Sequence, residues 1–97
     1  MYSIEQIIHH FQLRPLPWEG GYFNETYRSA GRIPAAALEG KYPGDRSVST
    51  AIYYVLTPET ISAMHRLTGD EIFHFYLGDP VEMLQLHPDG CADRIRA

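Results

Sequence analysis

A chain of 97 residues with a formal charge of −4, 44% hydrophobic and 21% charged side chains describes an ordinary globular protein of one domain at most. The acidic balance offers no basic face to nucleic acid, and no run approaches the roughly 20 apolar residues of a membrane helix. Cys91 is the single cysteine, which rules out an intramolecular disulfide framework, and the N-terminus lacks the basic flank and apolar core of a signal peptide; a cytoplasmic location is therefore expected.

The first element is a short amphipathic helix over residues 3–11. Ile4, Ile7, Ile8 and Phe11 recur at helical spacing on one face, and Ser3 with Gln6 makes a capping-box pattern. His9 and His10 suit the negative end of the helix dipole and read as solvated helix-end residues. Pro15 and Pro17 are expected to stop the helix and feed an extended segment.

Residues 21–29 alternate as a strand, with Phe23, Glu25 and Tyr27 on one side and Tyr22, Asn24, Thr26 and Arg28 on the other. Residues 30–47 form a long irregular connection, in which 35–38 can add a helical turn. Four further strands are expected at 48–56, 61–67, 71–77 and 81–87, separated by turn-forming sequences. Residues 91–97 read as the start of another strand. Short, closely spaced strands with turns between them argue for an antiparallel sandwich or barrel, an all-β fold with one short N-terminal helix.

The chemistry concentrates around a tight Thr-Gly-Asp turn. His65 precedes the turn, Glu71 follows it, and Gly78 closes the next strand. Along 71–77, Glu71, Phe73 and Phe75 share one face, while Ile72, His74 and Tyr76 share the other. If His65 also points inward, an imidazole and a carboxylate meet in an aromatic-lined cavity, which is the chemistry of a small-molecule site. Desolvation raises such a carboxyl's pKa and a neighbouring imidazolium lowers it, a contest that suits acid–base work. The plainer alternative is a half-buried histidine bonded to a carbonyl and a surface carboxylate paired with Arg66 or Arg28.

The same residues resemble the first motif of the cupin superfamily: His-x-His, three or four residues, Glu, six residues, Gly. His65, Glu71 and Gly78 fall where that motif asks, and its second histidine position falls on Leu67. The blocks Glu19-Gly20-Gly21, Glu25-Thr26-Tyr27-Arg28-Ser29, Ser49 to Leu56 and Asp70 to Asp79 extend the resemblance to an uncharacterised branch of small single-domain cupins. The resemblance implies a cupin-type double-stranded β-helix, or jelly roll, of which 1–97 is read as the N-terminal part of a single truncated domain.

It further implies His65, Glu71 and His74 as catalytic residues and Glu25, Arg28, Phe73, Phe75 and Tyr53 as ligand contacts. The nearest analogy is with sugar epimerases, which use a histidine base without metal. His65 is then the base and Glu71 its partner, while His74 serves the pocket or a dimer interface. The alternatives are a non-catalytic ligand-binding cupin and an inactive short form. No cofactor is expected, because Leu67 stands where a metal-binding cupin has a ligand and a metal site needs three or four; the alternative is a divalent metal that takes its further ligands from the second half of the family pattern. The expected partners are a small molecule and a second copy of the chain, with no nucleic acid and no membrane. Glu25 is either paired, with Arg28 or Arg46, or lines a pocket. Arg28, Arg32, Lys41 and Arg46, half of the eight basic residues, read as a solvated loop or as a lid for an anionic group.

Overall fold

The computed structural model describes residues 2–38, 42–67 and 69–96. Helix α1 spans Ile4–His10, and its capping box forms as the sequence predicts. The Gln6 amide donates to Ser3 Oγ at 3.1 Å, and the Ser3 amide donates to Gln6 Oε1 at 2.8 Å. The helix stops earlier than the prolines require. The Leu13 amide donates to the Ile8 carbonyl (2.9 Å) and the Gln12 amide to the His9 carbonyl (3.2 Å), with Gln12 at φ 54°. That is a Schellman motif with glutamine in the left-handed position that glycine usually fills. Its hydrophobic member, Leu13, is the one buried apolar residue among those described, at 7% exposure.

The main sheet is antiparallel, in the order β1 (Arg14–Pro15), β2 (Tyr22–Arg28), β5 (Thr50–Val55). The connection after β2 is more ordered than expected. Within it β3 (Arg32–Ile33) pairs with β4 (Arg46–Ser47), and Ala35–Ala37 make a 3-10 turn. β6 (Glu82–Leu86) and β7 (Ala92–Arg96) form a separate hairpin, with the Cys91 carbonyl accepting from the His87 amide at 2.8 Å.

Strict alternation fails once in β2. Glu25 pairs with Ile52 but Tyr27 pairs with Ala51, so Thr26 is the extra residue of a β-bulge. Beyond it the faces exchange. Tyr27 opposes Ala51 and Arg28 opposes Thr50, which moves Arg28 to the Glu25 side of the sheet and Tyr27 away from it. A guanidinium three residues after a carboxylate belongs on the opposite face of a regular strand. Here the two meet.

The expected strands at 61–67 and 71–77 are absent from every sheet among the described residues. The sequence supplies strand-forming side chains, but a ladder also needs a paired backbone, and none of the described strands pairs with either segment. Ile61, Ile72, Phe73, Phe75, Tyr76 and Leu77 consequently stay exposed. The radius of gyration is 15.5 Å, against about 12.5 Å for a compact domain of this length. The accessible surface is 8651 Å², against about 5,700 Å² for a folded monomer of this mass. The described residues are thus all-β apart from α1 and the short 3-10 turn, in three small antiparallel sheets that do not close into a barrel. No helix among them is long and apolar enough to cross a membrane.

Candidate functional site

The best-defined geometry around His65 starts from the backbone of residues 16–21. The Leu16 amide donates to the Gly21 carbonyl at 2.9 Å and the Gly20 amide to the Leu16 carbonyl at 3.1 Å, closing a tight loop that reverses into β2. Gly20 (φ 97°) and Gly21 (φ 79°) hold conformations that residues with a Cβ rarely adopt. Space imposes the same choice. A Cβ on Gly20 would run into the Ile61 carbonyl, and one on Gly21 would lie 2.7 Å from Tyr54 Oη. Tyr54 Oη donates to the Gly20 carbonyl at 2.6 Å, pinning the loop from β5.

This close approach carries the chain at 61–65 against the loop. The Ala63 amide donates to the Glu19 carbonyl at 2.6 Å. Two residues later, His65 Nδ1 lies 2.7 Å from the Ala63 carbonyl. A carbonyl only accepts, so Nδ1 carries the hydrogen and the lone pair of the neutral ring sits on Nε2. Nε2 faces Glu19 Oε2 at 3.8 Å, with the two side chains 31% and 41% exposed.

The carboxylate beside His65 is therefore Glu19. Glu71 is exposed and makes no hydrogen bond or ion pair with any described residue. His74, Phe73 and Phe75 are likewise exposed and unpartnered. Tyr53 is half-buried in an aromatic row, its ring 4.7 Å from Phe11 and 6.1 Å from Tyr76. That row ties the 71–77 segment to α1 through Tyr76, not through any residue of the motif.

Glu25 resolves toward pairing. Arg28 donates through Nε (3.2 Å) and NH2 (2.6 Å) to its two carboxylate oxygens, a bidentate pair that the Thr26 bulge makes reachable. This bonding holds the Arg28 guanidinium above its ordinary pKa. Ser47 Oγ lies within 3.3 Å of Arg28 and 3.4 Å of Arg32, which also donates to the Asp45 carbonyl at 3.0 Å. Arg46 stacks over the Tyr42 ring at 5.2 Å, while Lys41 lies outside the described residues. These arginines hold the β3–β4 connection together.

Two shallow depressions flank α1, one lined by Glu5, Ile8, His9, Gln12 and Leu13, the other by Tyr2, Gln6, Ile7, His9, His10, Phe11 and Leu77. Neither includes His65, Glu19 or Glu71. A metal site needs three or four ligands, and no group of three His, Cys, Asp or Glu side chains is placed to hold an ion among the described residues.

Residues 5–97 match the family described as Cupin superfamily (DUF985). The chain belongs to the cupin superfamily. It is also similar to the uncharacterized protein YML079W of Saccharomyces cerevisiae, 31% identical over 93 residues that make up 91% of this chain and 46% of that one. The chain spans about half the length of the curated relative it matches. Neither description assigns an activity.

Glu19 is the functional candidate that motif spacing missed. Its signal was present in Glu19-Gly20-Gly21, where two adjacent glycines announce a close backbone approach. What they approach is visible only in three dimensions.

Proposed function

We propose that this cupin binds a small polar metabolite at His65 and moves a proton to or from it, the chemistry of an isomerase or epimerase. The observation that supports the reading is the 2.7 Å approach of His65 Nδ1 to the Ala63 carbonyl. With Nδ1–H fixed on the Ala63 carbonyl, Nε2 is left as a proton acceptor at a half-open surface. Glu71 and His74 belong to the proposal through their spacing from His65 in the cupin motif, and Phe73, Phe75 and Tyr53 supply aromatic surface. Glu25 and Arg28, which satisfy one another, contribute least.

The test is solvent-deuterium incorporation at carbon in a panel of aldoses, ketoses and other polar metabolites. Incorporation is expected with the native chain and is expected to fall by about 10²-fold or more in His65→Asn, the range typical of a lost general base. Unchanged incorporation in His65→Asn would refute the assignment.

A second reading is favoured by the exposure of Glu71 and His74, neither of which is packed against His65 among the described residues. On that reading the chain binds a ligand without turnover, and saturable binding with no deuterium incorporation is the expected result. Under either reading we propose a homodimer, supported by the apolar side chains exposed along 61–77. Sedimentation equilibrium showing a monomer at micromolar concentration would remove the dimer. A cytoplasmic location is part of the same proposal, supported by the free, exposed thiol of Cys91.

A further inference from the structure

Taken together, the Glu19 and His65 side chains present two proton acceptors 3.8 Å apart. His65 Nε2 cannot donate in the neutral ring, because Nδ1 holds the hydrogen against the Ala63 carbonyl. Glu19 Oε2, 3.8 Å away, is beyond direct hydrogen-bond reach. Two acceptors at this separation are satisfied together by one atom carrying at least two hydrogens, set at ordinary bonding distance from each. The site also bears the single negative charge of Glu19, and no arginine or lysine pairs with that carboxylate among the described residues.

We propose that Glu19 and His65 together form a subsite for a primary amine. The ammonium group donates one hydrogen to Glu19 Oε2 and one to His65 Nε2, and its charge is compensated by the carboxylate. An anionic group of the same size would meet two acceptors and a like charge. This inference rests on His65 being the ligand-binding residue, and it names the chemical class of the ligand.

The geometry of the pair depends on backbone contacts that substitution of the carboxylate leaves intact. The Glu19 carbonyl, not its side chain, receives the Ala63 amide, and Gly20 supplies the contact with Ile61. Glu19→Gln keeps shape and folding while removing the charge. Trp18, the only tryptophan, is adjacent in sequence and 98% exposed, so its emission serves as a local reporter.

The experiment is a fluorescence titration of the full chain near pH 8, above the ordinary imidazole range, with ethanolamine and, separately, with glycolate at matched ionic strength. Ethanolamine is expected to change Trp18 emission saturably and glycolate is not. Glu19→Gln is expected to weaken ethanolamine binding about tenfold or more, as the loss of a charge-assisted bond predicts, while Glu82→Gln, at an exposed position of β6, leaves it unchanged. Absence of saturation with ethanolamine, or unchanged affinity in Glu19→Gln, would overturn the subsite. His65→Asn separates this inference from the reading on which it rests. Glycolate binding that His65→Asn abolishes leaves the His65 site standing and overturns the amine. Ethanolamine binding that Glu19→Gln weakens but His65→Asn does not overturns the pairing and the His65 site together.

Discussion

The two halves of this chain are held in opposite ways. From α1 through β5, sequence-distant backbones meet: β2 lies between β1 and β5, Tyr54 reaches back to Gly20, and the Gly20–Ile61 contact closes the far side. From 69 to 81 the chain carries Glu71, His74 and Gly78 of the block that marks it as a cupin, yet among the described residues no ladder holds them and their large apolar side chains are exposed. A motif fixes residue types and spacing, whereas order comes from what lies alongside. Glu71 and His74 are therefore the least restrained of the signature residues.

The largest expected consequence of that contrast is in proteolysis. Chymotrypsin is expected to cut at Phe73, Phe75 or Tyr76 about a hundredfold faster than at Tyr22, Phe23 or Tyr53, since cleavage follows local opening. Mass spectrometry of early fragments decides it; first cuts within β2 or β5 would reverse the contrast. Next in size is Gly20→Ala, which combines a left-handed φ with a collision at the Ile61 carbonyl. Urea denaturation is expected to show a loss of about 3 kcal/mol, and a neutral result would mean that the loop does not dock as described.

Tyr54→Phe probes the same docking more gently, and about 1 kcal/mol should be lost with the hydroxyl's bond to Gly20. Gln12→Gly works in the other direction. It places glycine at φ 54° in the Schellman position, so a gain of about 0.5–1 kcal/mol is expected in thermal unfolding.

The smallest effect belongs to the β6–β7 turn. The Asp89 carboxylate accepts the Cys91 amide at 2.9 Å, and that bond holds its pKa below the ordinary 3.8. A depressed carboxyl contributes stability that is full above its unfolded pKa and is lost as pH falls through the folded one. The Cys91 amide signal in NMR is expected to titrate with a midpoint below 3.8, the ordinary value, and Asp89→Asn should abolish that transition. A midpoint at or above the ordinary value would show that the turn is open in solution.

Several local features were legible in the residues because their causes are local. The Ser3–Gln6 capping box, the β2 and β5 strands, the β6 strand and the start of β7 all follow from spacing over a few positions. The Schellman stop was not, since glutamine hides a position that glycine would have advertised. The Thr26 bulge was also invisible. Period-2 reading assigned Glu25 and Arg28 to opposite faces, and only the pairing register with β5 exchanges them. In the candidate site, His65 was legible from the motif, but its carboxylate neighbour was sought six residues downstream in Glu71, whereas Glu19 arrives from a loop far upstream.

The sequence by itself determined the cupin family and the all-β character with one short helix, and it singled out His65 as a candidate, because residue type, periodicity and motif spacing are properties of neighbouring positions. Only the tertiary structure decided which carboxylate faces that histidine, which face Arg28 occupies, and that the described residues of 61–81 lie outside every sheet. Those outcomes depend on which backbones come together, and a contact between residues 19 and 65 leaves no trace in the spacing around either one.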